Sequence, residues 1–191
     1  MGPVGVELRG GAALAEPRQL LLDAGREELI ALFGQVAKAD DRLLYLVEEF
    51  EQAPEEYIWR DRAGLHWKPE LTRRWTARIE RTGQGITLMH AHGGKGKVEL
   101  SNTDQATCTR MLGHFQRFVS GQAHGYVVVG VDGATGWFAF DDEEVPLLIL
   151  KTSTCPIRRW ASEPTKVPAP PPTMTRQVGA ITKVGQARMF R

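Results

Sequence analysis

His90-Ala91-His92 is followed, after residues 93–100, by Ser101-Asn102-Thr103-Asp104. Two imidazoles and a carboxylate are the donor types of a catalytic zinc site, whose three nitrogen and oxygen ligands leave a fourth tetrahedral position open for a water. Zinc held in this way lowers the pKa of its water to about 7 and polarises a carbonyl group. A hydroxyl beside it, here that of Ser101, can donate to an oxyanion as it develops. The same residues also have a plainer use. A serine with an acidic residue three positions later is a helix-capping pattern, and Asp104 suits the positive end of a helix dipole. A lone His-x-His pair occurs at many exposed strand ends. The four side chains together, in this order at a strand-to-helix turn, favour the metal.

For these groups to meet, a strand must deliver the histidines and a helix the aspartate. The run Gly85-Ile86-Thr87-Leu88-Met89 reads as a buried strand leading into His90. Residues two apart on a strand point the same way, so His90 and His92 can reach one ion. After Ser101, the spacing of Met111, Leu112, Phe115 and Phe118 is helical, which puts Asp104 in the first turn of a helix ending near residue 120. Further strands are predicted over residues 4–8, 28–36, 43–50 and 145–150, and residues 19–24 fit either a helix or a strand. Residues 57–67 read as a hairpin turning through 60–64. A second hairpin joins 126–131 to 136–140 around Asp132-Gly133. Pro69 opens a helix through residue 81, because proline is tolerated in a first helical turn. Mixed strands with two or three helices predict an α/β sandwich.

The H-x-H…S-x-x-D order resembles the JAMM motif of JAB/MPN-domain metalloproteases, some of which remove ubiquitin or ubiquitin-like proteins from their conjugates. The family pattern also has an upstream glutamate opening a hydrophobic strand, with a small residue inside it and a glycine near its end. Glu28-Leu29-Ile30-Ala31-Leu32-Phe33-Gly34 resembles that strand, with Ala31 at the small position. Glu27 offers the neighbouring register. Two departures stand out: Gly93-Gly94 follows His92 where the family usually has proline, and the gap to Ser101 is one residue longer than usual. Glycine lets such a loop adopt backbone conformations closed to other residues.

The resemblance implies a JAB/MPN-like (cytidine-deaminase-like) mixed sheet flanked by helices over residues 1–160. It implies Zn2+ held by His90, His92 and Asp104, with Ser101 as oxyanion donor. Glu28 would be the general base, taking the water's proton and delivering it to the leaving amine. The activity implied is that of a bacterial-type, deubiquitinase-like isopeptidase acting at the C-terminus of a ubiquitin-like protein, to mature a precursor or reverse conjugation. Two alternatives use the same residues: a non-catalytic MPN scaffold, and a peptidase acting on a sulfur-carrier protein.

Composition narrows the remaining classes. A net charge of +1 over 191 residues makes no electrostatic case for nucleic acid or an acidic membrane surface. The basic stretch Arg73-Arg74-Trp75…Arg78…Arg81 reads as a solvated helix face, diluted by Glu70 and Glu80. No apolar run has spanning length, and residues 1–22 lack the pattern of a secretory signal. Cys108 and Cys155 alone do not make a disulfide framework, so reduced thiols in a cytoplasm are expected. Cys108, one helical turn past Asp104, reads as a core-facing or accessory thiol. His66, His114 and His124 have no partner pattern. Pro164, Pro168, Pro170, Pro171 and Pro172 predict an extended linker over 161–175. Beyond it, Arg176-Gln177 and Gly185-Gln186 in the tail 176–191 resemble the opening of ThiF-type adenylating domains, which implies an activating enzyme, and a conjugating enzyme beyond it, as partners.

Overall fold

Strand β2 (Leu29–Ala39) is buried on both faces over its first six residues, so each of its faces must meet a hydrophobic layer. Alternation sorts them: Ile30 and Leu32 join one core cluster, while Leu29, Ala31 and Phe33 join another. Strand β6 (Gly85–Ala91) divides in the same way, with Met89 and Ala91 in the first cluster and Ile86 and Leu88 in the second. His90 therefore shares the face of Leu88. The computed structural model describes residues 3–62, 64–92, 98–141 and 143–151. The glycine-rich loop 93–97, Cys155, Trp160, the proline-rich linker and the tail at 176–191 lie outside the described residues.

Around these two strands the chain runs β1 (Val6–Arg9), α1 (Ala12–Asp23), β2, β3 (Arg42–Gln52), a 3-10 turn (Glu55–Tyr57), β4 (Ile58–Asp61), β5 (Gly64–Trp67), α2 (Pro69–Thr82), β6, α3 (Asn102–Gln116), β7 (His124–Val129), β8 (Ala134–Phe140) and β9 (Glu143–Lys151). Helix α1 sends Leu14 and Leu21 into the first cluster. Leu71, Trp75 and Ile79 of α2, with Cys108, Met111, Leu112 and Phe115 of α3, build the second against the opposite face. The expected hairpins form: β4 and β5 pair antiparallel, and β7 turns into β8 through Gly130 and Gly133, whose backbones bond each other.

An α/β sandwich, or an open mixed sheet flanked by helices of the JAB/MPN kind, is not what the chain forms. Seven strands close into a barrel in the order β1-β3-β2-β6-β7-β8-β9. The seam is β1, which pairs in parallel with β3 on one side and with β9 on the other. That leaves the sheet no free edge. A bend helps the closure. Gly34 sits at a register shift in β2 and faces Gly85 across the ladder, and a β-carbon at either would run into a neighbouring carbonyl, that of Leu46 or Ala123. Small residues at such crossings let strands approach closely. Helix α1 decides the stretch at 19–24 that reads as helix or strand: it runs from Ala12 to Asp23, through Pro17.

Helix α2 starts with Pro69 in its first turn and ends at Gly83, whose left-handed backbone suits glycine. Its basic face is paired with acids. Arg73 bonds Glu70, Arg74 reaches Glu51, and Arg78 reaches Glu49 and Glu51 while lying over the Phe33 ring. Among the described residues no helix is long and apolar enough to cross a membrane.

Candidate metal centre

Three elements build the site. Strand β6 brings His90, and the chain continues one residue past the strand's end to His92. Helix α3 then presents Asp104 from its first turn. The parallel pairing of β6 with β7 sets Val128 opposite His90 and Tyr126 opposite Leu88, so Tyr126 rises on the face that α3 covers. Helix α3 begins as the capping pattern requires. Asp104 N–H donates to Ser101 Oγ at 3.1 Å, and Ser101 N–H donates to Asp104 Oδ2 at 2.8 Å. The plainer reading of S-x-x-D is thus realised, and it coexists with the metal reading, because the same carboxylate faces both histidines.

The polar atoms converge tightly. His90 Nε2 and His92 Nε2 are 3.1 Å apart. Asp104 Oδ1 lies 3.2 Å from His90 Nε2, and Oδ2 lies 3.1 Å from His92 Nε2. A tetrahedral zinc with bonds of about 2.0–2.1 Å spaces its ligand atoms roughly 3.3 Å apart, so the triangle is close to the right size. His90 and Asp104 are buried, and His92 is partly exposed. The three side chains could therefore hold a metal ion. Burial alone would push the Asp104 carboxyl up, but hydrogen bonds to His90 and Ser101 overcome it and keep it well below the usual carboxylate range. The carboxylate is thus held in the charged form that ligation needs.

Two further groups support Asp104. Ser101 O–H donates to its Oδ2 at 2.6 Å, and Tyr126 O–H donates to its Oδ1 at 3.1 Å. Burial, reinforced by the neighbouring Asp104 charge, raises the Tyr126 hydroxyl far above its ordinary value, so it stays a donor. Nothing in the motif pointed to Tyr126. The available clue was a tyrosine directly before the apolar run Val127-Val128-Val129, since a buried tyrosine hydroxyl has to find a partner.

The expected base lies elsewhere. Glu28 is buried in an ion pair with Arg26, 2.6 Å from its Oε1, and with Arg60, 3.1 Å from its Oε2. It is Glu27 that lines the cleft, together with Gly64, Leu65, His90, His92, Ser101, Asp104 and Tyr126. Arg60 holds this register: its Nε donates to the Glu27 carbonyl at 2.6 Å, and its Nη1 bonds Glu55 at 2.7 Å. The cleft holds about 40 Å³. That is room for an ion and a water or two, so an organic substrate would have to lie across its mouth.

Cys108 packs from α3 into the core, where burial pushes its thiol up to about 12. It is not in the ligand group. His124 is a core residue: it accepts from Ile86 N–H at Nδ1 and bonds the Val119 carbonyl through Nε2. His114 pairs with Thr76, and His66 pairs with Asp61 and stacks on Trp59.

The donor set and its spacing fit zinc. One feature departs from the usual surroundings of a ligating histidine, which gives its second nitrogen a partner: His90 Nδ1 is buried with no hydrogen-bond partner among the described residues. No family model matches the chain, and a search of curated proteins finds no match.

Proposed function

We propose that the protein is a zinc-dependent hydrolase cleaving an amide bond at the C-terminus of a ubiquitin-like protein, to trim a precursor or release it from a target. The observation that carries this reading is the convergence of His90, His92 and Asp104 on one point, with Glu27 lining the same cleft. A zinc ion bound there would activate a water and polarise the scissile carbonyl. Glu27 accepts that water's proton on its carboxylate and delivers it to the leaving nitrogen. Ser101 keeps its N–H on Asp104 while its hydroxyl turns to the substrate oxygen as negative charge grows there. A narrow cleft with an open mouth suits an extended C-terminal tail. The substrate class rests on the likeness of the H-x-H…S-x-x-D order to the JAMM motif, a likeness of residues and spacing that does not extend to the barrel.

The test is elemental analysis followed by turnover of a panel of ubiquitin-like fusions. About one zinc per chain is expected, lost in His92→Ala. Glu27→Gln should keep its zinc and lose at least about 10²-fold in rate. A wild-type protein that takes up no zinc when supplied with it would reduce the chain to a scaffold. Full activity in Glu27→Gln would remove the base.

A further inference from the structure

We infer that Tyr126 is a positioning residue of the metal centre, holding Asp104 and His90 from a strand that supplies no ligand. The inference rests on the reading of His90, His92 and Asp104 as ligands. Strand β7 is buried from end to end, and a hydrocarbon at position 126 would satisfy its packing. A tyrosine there instead carries a hydroxyl into the core, where it donates to Asp104 Oδ1 at 3.1 Å. Ser101 holds the other carboxylate oxygen through its N–H and O–H. Those two bonds belong to the helix's own cap and would form wherever α3 lay. The Tyr126 bond ties the carboxylate to β7, a second strand of the sheet beside the β6 that carries His90.

The same side chain bears on His90. Parallel register sets the Tyr126 ring against the imidazole, with centroids 5.2 Å apart and planes tilted by 59°. A ligating histidine usually takes its orientation from a hydrogen bond at its second nitrogen, and His90 Nδ1 has no such partner among the described residues. Ring packing against Tyr126 stands in that role. One side chain thus orients two ligands from two different elements, through its hydroxyl and its ring.

Tyr126→Phe separates these contributions, because it keeps the ring and removes the hydroxyl. Zinc affinity, measured by competition with a chromophoric chelator, should fall about 10–100-fold. The absorption bands of the cobalt(II)-loaded protein should shift with it, and the unfolding temperature of the metal-free protein should move little. If the wild type binds zinc and Tyr126→Phe binds it equally well, the inference fails and the metal reading stands, including when the variant's metal-free stability has dropped. If the wild type binds no zinc, both fall together.

Discussion

Two adjacent carboxylates take opposite positions at the start of β2. Glu27 lines the metal cleft, and Glu28 is spent on Arg26 and Arg60. Glu28→Gln should therefore leave zinc content intact and lower stability by about 1–3 kcal/mol, as loss of a buried charge-assisted partner does. Denaturant titration beside metal analysis would show it. A Glu28→Gln protein that is fully stable but inactive would reverse the two assignments. The ligands were legible because their geometry is local: His90 and His92 are two apart where β6 ends, and Ser101 and Asp104 are three apart at the start of α3. The choice between Glu27 and Glu28 was not. It is made by Arg60, which bonds the Glu27 carbonyl from 33 residues away. The Tyr126 contact, made across 22 residues, was hidden for the same reason.

At the scale of elements, helix α3 uses one carboxylate twice, as the cap of its first turn and as a ligand. Ser101→Ala removes a cap worth about 0.5–2 kcal/mol and also frees Asp104 Oδ2 from a 2.6 Å bond. The stability loss should be larger in the zinc-loaded protein than in the metal-free one. Equal losses in the two forms would make Ser101 a cap alone. The strong local patterns gave the elements well: Pro69 at the start of α2, the Asp132-Gly133 turn, and the apolar run into His90. Helix α1 was less legible because Pro17 sits inside it, removes a backbone donor and disfavours the helix locally. Packing of Leu14 and Leu21 into the core outweighs that cost.

For the whole molecule, closure was the illegible step. No local pattern announces that β1 will lie between β3 and β9, because the decision depends on pairs such as Leu8 with Leu150. Overall stability also carries a pH dependence traceable to the core. Burial lowers His124 from 6.5 to about 4, and its Nδ1 accepts a backbone bond only when neutral. Above pH 6.5 the folded and unfolded chains are both neutral there. As pH falls from about 6.5 to about 4 the unfolded chain takes up a proton that the folded one excludes. Stability should therefore decline through that window by about 3 kcal/mol, and His114, also lowered by burial, adds in the same direction. Denaturation midpoints across pH would show the slope, and His124→Gln should flatten it. The parallel seam has a consequence for synthesis. While β9 is still inside the ribosome, the sheet has two open edges, at β8 and at β1. The barrel's first strand must wait for its last, so the nascent chain passes through a stage with exposed strand edges, which are sites of misassociation. A seam between the barrel's first and last strands, with its high contact order, also marks this as a slow folder for its size.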